Sequence, residues 1–189
     1  MTSAAAKARV REHVRAGRRE GPPADPHALA ARVLEFLDGV PGPLRVTCYS
    51  SYGTEPETAA LLAALHERDY EVLLPRVDGD HLAWVPQGPT SQVSSMGIAE
   101  PTGEAVDLLP VRALLVPALA VSADGSRLGK GGGYYDRVLA GLPPHDRPAI
   151  AAIVRDEDVL PDGEIPREAH DMLVDAIITP TRIVSCLSD

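Results

Sequence analysis

The chain has 189 residues, of which 44% are hydrophobic and 24% are charged, and its formal net charge is −9 at pH 7. This length suits one domain with its own core, and the composition is that of an ordinary globular protein. The negative charge argues against a general nucleic-acid or anionic-membrane surface, so basic side chains that hold an anion must be concentrated locally.

The N-terminal segment is predicted to form a helix over residues 3–19, with Ser3 as its cap. Lys7, Arg11 and Arg15 are spaced by four and therefore share one face of this helix. The spacing alone leaves two interpretations open. The basic face is either a solvated surface or a surface that leans over an anion.

A second helix begins at Asp25 and Pro26, which satisfy the N-cap and first-turn proline preferences. The elements predicted after it are, in chain order, a buried strand over 44–51, a helix opened by residues 55–58, a strand over 71–76, a short edge strand over 81–85, a polar excursion over 86–110, a central apolar strand over 113–121, a helix over 134–142, a strand over 149–154, a loop over 157–169 and a last strand over 173–179.

This alternation of strands and helices predicts an α/β fold of three αβα layers, with a mostly parallel, Rossmann-like sheet in a single compact domain over residues 1–189. Ligands of such sheets bind outside the carboxyl ends of the strands. The loops after Ser51, Val121 and Val154 are therefore expected to converge on a site.

The two cysteines, Cys48 and Cys186, form neither a C-x-x-C pair nor a zinc-ligand pair. Free thiols in a reducing compartment are expected, with a disulfide between them as the alternative. Residues 1–19 lack the apolar segment of a signal peptide, and no stretch has the ~20 apolar residues of a membrane span. We therefore expect a cytoplasmic protein with no membrane partner.

The densest chemistry lies in residues 125–137, where four glycines stand between Leu128 and Tyr134, among Arg127, Lys130 and Arg137. Glycines allow a ligand to approach the backbone, and consecutive N–H groups form an anion site. The stretch fails the Walker A spacing, and Tyr134 replaces the third glycine of the dinucleotide pattern. It predicts a phosphate cradle with Asp136 placed to hold a metal, and a flexible surface turn is the alternative.

The sequence resembles the 5-formyltetrahydrofolate cyclo-ligase family, also called methenyltetrahydrofolate synthetases. The resemblance rests mainly on residues 127–137, which are similar to that family's signature, and it runs in order over nearly the whole chain. Further similar segments are Lys7-x-x-x-Arg11, residues 55–58, residues 97–101, residues 116–120 and residues 170–175.

The resemblance implies an ATP- and magnesium-dependent enzyme that closes 5-formyltetrahydrofolate into 5,10-methenyltetrahydrofolate and releases ADP and phosphate. The formyl oxygen would attack the γ-phosphate, and N10 would then attack the activated carbon. Such chemistry depends on positioning and charge stabilisation. The implied partners are ATP and a reduced folate, with no nucleic acid, and the protein would be a monomer.

The resemblance also implies a role for each residue that matches a family motif. Helix 3–19 would pack over the nucleotide site, and Arg127, Lys130 and Tyr134 would be the catalytic residues. The implied ATP-binding residues are Lys7, Arg11, Arg127, Leu128, Gly129, Lys130, Gly131, Gly132, Gly133, Tyr134 and Tyr135. Ser50, Glu55, Lys130 and Tyr134 would bind the folate, and Asp136 and Asp171 would hold Mg²⁺.

Residues 121–123 depart from the family pattern, in which an aromatic and an acidic residue precede the Asp-Gly turn. This departure removes no phosphate ligand. Two alternatives stay open. The chain is a divergent family member that binds ATP but acts on another substrate or is inactive, or it is a sugar-phosphate isomerase or a CoA-transferase-like protein with a similar sheet. A pure interaction module would not need this convergence of basic, acidic and glycine residues.

Overall fold

In the computed structural model, which describes residues 2–94, 97–168 and 171–186, helices and strands alternate along the chain. The helices are α1 (Ser3–Glu20), α2 (Pro26–Asp38), α3 (Ala59–Glu67) and α4 (Tyr134–Ala140), with a 3₁₀ turn at Asp156–Asp158. The strands are β1 (Arg45–Thr47), β2 (Glu71–Asp78), β3 (His81–Pro86), β4 (Ser91–Val93), β5 (Ala99–Pro101), β6 (Ala113–Pro117), β7 (Ala120–Ser122), β8 (Arg127–Leu128), β9 (Ala149–Ile153), β10 (Val159–Leu160), β11 (Ala176–Ile178) and β12 (Ile183–Ser185).

Seven strands form the main sheet in the order β12-β11-β9-β6-β1-β2-β3. The five inner strands pair in parallel, whereas β3 and β12 close the two edges antiparallel to their neighbours. The prediction of a mostly parallel α/β sheet is confirmed, as is the short edge strand predicted over residues 81–85, which pairs antiparallel with β2. Since the inner strands point the same way, their carboxyl ends share one edge of the sheet.

Apolar side chains cover both faces of the main sheet, as its continuous apolar strands require. On one face, Leu29 and Val33 of α2 and Leu61 of α3 belong to the same buried cluster as Val46 of β1. On the other face, Leu139 of α4 packs with a second cluster that includes residues of β6 and β9. The protein therefore has the three αβα layers that the sequence predicts.

Helix α1 packs apart from these two layers, on a small sheet in the order β10-β7-β8. Val14, which is buried, belongs to a cluster with Leu119, Ala120, Leu128 and Ile165. This arrangement holds the basic helix beside the strands that flank the glycine stretch. Among the described helices, none is both long and apolar enough to cross a membrane.

Three details differ from the sequence prediction. The apolar run 113–121 is two strands in two sheets, because the chain leaves the main sheet after Pro117 and re-enters pairing at Ala120. Thr2, not Ser3, caps α1, and its side chain accepts a hydrogen bond from the backbone N–H of Ala5. The excursion 86–110 contains the antiparallel pair β4–β5.

Parts of two predicted segments lie outside the described residues. These parts are residues 95 and 96 of the excursion, and residues 169 and 170, which include the histidine of the late family motif. The predicted free thiols are confirmed, because Cys48 and Cys186 form no disulfide.

Candidate active site

A cavity of about 270 Å³ opens at the carboxyl edge of the main sheet. Tyr49 and Ser50, which follow β1, and Pro117, which ends β6, contribute to its wall. The β2–β3 hairpin contributes apolar side chains, and the glycine stretch forms the opposite wall. The site therefore lies where parallel strands of this topology are expected to place a ligand.

Backbone geometry explains why glycine is needed in the stretch that leads to this wall. Gly125 has φ +82°, and a Cβ there would lie 2.7 Å from the carbonyl oxygen of Val174. Gly133 has φ +69° and immediately precedes α4. Side chains are disfavoured at both φ values, and the close contact at Gly125 excludes a Cβ without movement of the neighbouring chain.

Lys130 reaches from the glycine stretch to the loop after β1. Its Nζ lies 2.7 Å from Oε1 of Glu55, whose side chain is only 5% exposed. The same ammonium lies 3.3 Å from the ring centroid of Tyr52, a distance that permits a cation–π contact. The second oxygen of Glu55 accepts the backbone N–H of Tyr52 at 3.0 Å. These contacts hold the Lys130 ammonium at the cavity.

Arg127 and Asp136 form a second ion pair on the cavity wall. The guanidinium of Arg127 also donates to the carbonyl of Pro117, at 3.4 Å, so it ties β8 to the end of β6. The Asp136 side chain is 42% exposed, whereas that of Arg127 is 3% exposed. The pair therefore presents a carboxylate to the cavity beside a buried positive charge.

The basic face of α1 contacts the glycine stretch through backbone carbonyls. Nε of Arg11 donates to the carbonyl of Gly129 at 2.9 Å, and Arg15 donates to that of Lys130 at 3.2 Å. Neither arginine lines the cavity. The glycine stretch thus stands between the cavity on one side and the arginines of α1 on the other.

Lys7 of α1 forms ion pairs with two carboxylates, those of Glu168 and Asp171. Its Nζ donates to Asp171 at 2.7 Å and to Glu168 at 3.0 Å. Burial lowers the pKa of Lys7, but the hydrogen bonds and negative charges of Asp171 and Glu168 outweigh that effect, so the pKa is raised. Lys7 therefore stays charged at neutral pH.

The structure gathers most of the predicted site residues around the cavity. Those that line it are Ser50, Glu55, Arg127, Gly129, Lys130, Gly131, Gly132, Gly133, Tyr134, Tyr135 and Asp136. Lys7, Arg11 and Asp171 lie outside its lining. Leu128 is also outside it, because its side chain is buried in the cluster beneath α1. Across the described residues, no group of three or more His, Cys, Asp or Glu side chains is arranged to hold a metal ion alone.

A buried cluster of charged residues that attaches α1 to the rest of the site was not predicted from the sequence. Arg18 lies 2.8 Å from a carboxylate oxygen of Asp158, and both side chains are almost fully buried. Arg18 also donates to the carbonyls of Ala118 and Leu119, at 2.9 and 3.0 Å. Arg155 donates to the carbonyl of Thr54, which directly precedes Glu55. No local pattern signals these contacts, because they join segments that are far apart in sequence.

The role of Thr58 in the loop after β1 was also not predicted. The hydroxyl of Thr58 donates to the carbonyl of Tyr49 at 2.7 Å and accepts from the N–H of Ser51, which shapes the loop that carries Glu55. Burial, followed by the charge of Glu55, raises the pKa of the Tyr49 hydroxyl. Burial likewise raises the pKa of Tyr135. Both hydroxyls therefore stay protonated at neutral pH.

The chain has relatives among known proteins. The chain matches the model of the 5-formyltetrahydrofolate cyclo-ligase family over residues 3–180. The 5-formyltetrahydrofolate cyclo-ligase of Mycolicibacterium smegmatis is 35% identical over 195 residues, covering 96% of this chain and 97% of that protein. The cyclo-ligase of Escherichia coli strain K12 is 27% identical over 146 residues, covering 73% and 79%.

Solved structures show a similar fold. The Aquifex aeolicus 5,10-methenyltetrahydrofolate synthetase superposes with a TM-score of 0.78 at 25% identity, over 97% of this chain and 94% of that one. The 5,10-methenyltetrahydrofolate synthetase of Mycoplasma pneumoniae superposes with a TM-score of 0.67 at 18% identity, over 95% and 99%.

Proposed function

Because the chain belongs to the 5-formyltetrahydrofolate cyclo-ligase family, we propose that it uses ATP to convert 5-formyltetrahydrofolate into 5,10-methenyltetrahydrofolate. The observation that carries this proposal is the position of the glycine stretch between the cavity and helix α1. Lys130 extends from the stretch toward the cavity, and Arg11 and Arg15 of α1 contact its backbone on the other side, away from the cavity lining. The folate would occupy the cavity, and the phosphates of ATP would lie along the glycine stretch beside α1.

The cavity suits the ring end of a reduced folate. Its volume of about 270 Å³ is slightly below the range of small-molecule sites, roughly 300–1,000 Å³, and suits the ring end better than the whole folate. Apolar side chains from the β2–β3 hairpin, including Val77 and Leu82, can cover the ring faces. The glutamyl tail would extend toward solvent. Tyr134, at the start of α4, lines the wall where the formyl group would meet the γ-phosphate.

The reaction would proceed in two displacements. In the first, the formyl oxygen bonds to the γ-phosphorus and ADP leaves. In the second, N10 bonds to the activated formyl carbon, the N10 proton is lost and phosphate leaves, which closes the five-membered ring. The Lys130 ammonium would stabilise the negative charge that passes between the two substrates, since it is fixed before they bind. Arg127, which is buried and pairs with Asp136, would add positive charge at the cavity wall.

Lys7 and Arg11 would hold ATP phosphates from the α1 side. In the structure, Lys7 binds Asp171 and Glu168 at hydrogen-bond distance. Its ammonium has three donors, and they contact both oxygens of Asp171 and one of Glu168. A phosphate oxygen would therefore replace one of these contacts. Arg11 is anchored to Gly129 through Nε. Its terminal nitrogens form no hydrogen bond with any other described residue, so they could contact a phosphate.

The carboxylates present fit a magnesium site. Mg²⁺ usually takes one or two protein carboxylates and completes its shell with phosphate and water oxygens. Asp136 lines the cavity beside the glycine stretch with its side chain half-exposed. One of its oxygens, Oδ1, pairs with Arg127, which leaves Oδ2 to contact an ion. We assign Asp136, and Asp171 at the Lys7 side, as the residues that would hold the ion. When bound, Mg²⁺ would neutralise phosphate charge.

One assay tests the proposed function. The protein is mixed with 5-formyltetrahydrofolate, Mg²⁺ and ATP, and the methenyl product is followed by its near-ultraviolet absorbance. We expect an absorbance rise that requires both ATP and Mg²⁺. No ATP-dependent rise would overturn the proposal, and ATP binding without turnover would favour a divergent family member.

A further inference from the structure

Arg155 connects the loop after β9 to the loop that carries Glu55, although no described residue of the segment 154–168 lines the cavity. It lies two residues past the end of β9 and is only 7% exposed. Its guanidinium donates to three backbone carbonyls, those of Arg18 and Pro22 at 3.3 Å and that of Thr54 at 3.2 Å. Since Thr54 directly precedes Glu55, the loop after β9 reaches the site through this carbonyl and not through the cavity wall.

Hydrogen bonds, more than packing, hold the segment just before Glu55. Gly53 and Thr54 are exposed, and a Cβ at Gly53 would meet nothing within 4 Å. The carbonyl of Thr54 accepts from Arg155 and also, at 3.5 Å, from Arg18. Hydrogen bonds from charged donors are stronger than those between neutral groups. Arg155 therefore restrains the backbone at the residue that precedes Glu55.

Glu55 passes this restraint on to Lys130. One carboxylate oxygen of Glu55 lies 2.7 Å from the Lys130 ammonium. A shift of the Thr54 backbone would therefore move the carboxylate to which Lys130 is bound. We propose that Arg155 is a positioning residue for the reaction, which fixes Glu55 through the Thr54 carbonyl and thereby fixes the Lys130 ammonium. This inference rests on the proposed function, which gives Lys130 its task.

A purely structural role for Arg155 would be to stabilise the end of α1. The last four carbonyls of a helix lack partners within it, and a cation near them is favourable. Arg155 donates to one of these carbonyls, that of Arg18. Burial of a guanidinium is costly, however, and Nε of Arg155 is buried without a hydrogen-bond partner in the described part of the chain. The two roles differ in which part of the protein should loosen when the guanidinium is removed.

The two lysines of the sequence, Lys7 and Lys130, can report on these two parts separately. Lys7 lies on α1 and pairs with Asp171, whereas Lys130 pairs with Glu55. Each ammonium must leave its carboxylate and lose a proton before it can react with an amine reagent. The reaction rate of Lys7 therefore reports on how α1 is held, and that of Lys130 reports on the Glu55 loop.

The experiment acetylates the folded protein with limiting acetic anhydride, without substrates, and mass spectrometry follows the rate at each lysine. The proteins are the wild type, Arg155→Met, Glu55→Gln, the double variant and Arg147→Met. Arg147 is the matched control, because it precedes the other end of β9 and its guanidinium pairs with Asp175 at 2.6 Å. Its removal deletes a part-buried guanidinium without touching the Glu55 loop.

We expect Arg155→Met to raise the acetylation rate of Lys130 about tenfold, the effect of one hydrogen bond to a charged group, and to leave that of Lys7 unchanged. Glu55→Gln should raise the Lys130 rate at least as much. Adding Arg155→Met to Glu55→Gln should change it little further, because the two residues act along one series of contacts. Arg147→Met should keep both wild-type rates.

Three results would overturn the inference. The first is an unchanged Lys130 rate in Arg155→Met. The second is an equal rise at Lys7 and Lys130, which would show that Arg155 only secures α1. The third is a full tenfold effect of Arg155→Met in the Glu55→Gln background. If Arg155→Met does not fold, Arg155→Lys decides in the same way, since a single ammonium cannot span the three carbonyls. A selective rise at Lys130 in that variant supports the inference, and no rise overturns it.

The outcome is distinguishable from failure of the proposed function, because the labelling uses no substrate. In the turnover assay, Arg155→Met should lower kcat/KM for 5-formyltetrahydrofolate about tenfold, since a misplaced charged group costs rate, and should have little further effect in Glu55→Gln. A selective rise in Lys130 labelling without ATP-dependent turnover would leave the positioning contact intact and remove the reaction. Turnover with wild-type labelling in Arg155→Met would leave the reaction intact and remove the role of Arg155.

Discussion

The Lys130 ammonium lies 2.7 Å from the Glu55 carboxylate, which joins the glycine stretch to the loop that follows β1. The glutamate side chain is 5% exposed and that of the lysine 34%, so the pair sits at the boundary between the interior and the cavity. Its position makes Glu55 the residue that fixes Lys130 relative to both proposed substrates.

Glu55→Gln should lower kcat/KM for 5-formyltetrahydrofolate on the order of tenfold to a hundredfold, because Lys130 loses a charged hydrogen-bond partner. The measurement is steady-state methenyl formation with ATP in excess. Glu57→Gln, at an exposed position two residues along the same loop, is the matched control and should resemble the wild type. An unchanged kcat/KM in Glu55→Gln would contradict the role given to this pair.

Lys7→Ala should raise KM for ATP by about tenfold, the loss expected for a hydrogen bond to a charged group, and leave KM for the folate nearly unchanged. The reason is that Lys7 lies outside the cavity lining, at the Asp171 side of the site. Initial rates at varied ATP and varied folate separate the two constants. Arg19→Ala, an exposed basic position on the same helix, serves as the control. A selective rise in KM for the folate would refute the assignment.

Asp136→Asn should lower turnover by at least about tenfold and raise the Mg²⁺ concentration needed for half-maximal rate, since an amide is a weaker ligand for a hard cation. The measurement is the initial rate as a function of Mg²⁺ concentration, and a thermal melt confirms that the variant is folded. Asp107→Asn, exposed and away from the cavity, is the comparison. If Asp136→Asn keeps the wild-type Mg²⁺ dependence, Asp136 does not belong to the metal site.

Gly125→Ala and Gly163→Ala form a matched pair for stability. Both glycines have similar positive φ, +82° and +84°, but a Cβ at Gly125 would lie 2.7 Å from the backbone oxygen of Val174, and at Gly163 it would meet nothing within 4 Å. Gly163→Ala should cost about 1 kcal/mol of unfolding free energy from φ alone, whereas Gly125→Ala should cost roughly 3 kcal/mol or more, because a clash adds to it. Urea unfolding measures both, and equal losses would show that contact with Val174 is unimportant.

The cysteines should be unreactive in the folded protein at neutral pH. Burial raises the pKa of the Cys48 thiol to about 12, and burial with nearby aspartates raises that of Cys186 to about 11. The raised values lower the thiolate fraction, which at pH 8 is about one in a thousand for Cys186. Alkylation of Cys186 by iodoacetamide should therefore accelerate about tenfold per pH unit between pH 8 and 10.

Mass spectrometry follows this alkylation at each cysteine, with urea-unfolded protein as the reference in which both thiols react. Rapid labelling of Cys186 in the folded protein at pH 7 would contradict its raised pKa.

The sequence predicts the order of the layers well because strand and helix periods are local properties. The apolar residues of α2 recur with the helical period, whereas the inner strands β6 and β9 are continuous apolar runs, and both sets are buried where expected. The end of β6 at Pro117 could not be predicted from the sequence. The residues before and after it are equally apolar and are buried in both cases, although they belong to two different sheets.

The candidate site is predictable only where its chemistry is local in sequence. The glycine stretch signals an anion site by composition alone, and the site residues implied by the family resemblance make up half of the cavity wall. The contacts of Arg18 with Asp158 and of Glu100 with Val77 join distant segments. Which cation pairs with which carboxylate depends on how the segments pack, and no spacing within one segment encodes it.

The attachment of α1 to late parts of the chain has a consequence for protein synthesis. Helix α1 is synthesised before the other elements described above, yet Arg18 contacts Ala118, Leu119 and Asp158. The buried face of α1 therefore cannot pack until most of the chain has been synthesised. Since contacts of long sequence separation form late, we expect the proposed nucleotide side of the protein to be among the last regions to fold, after the α2 and α3 layer has assembled on β1 and β2.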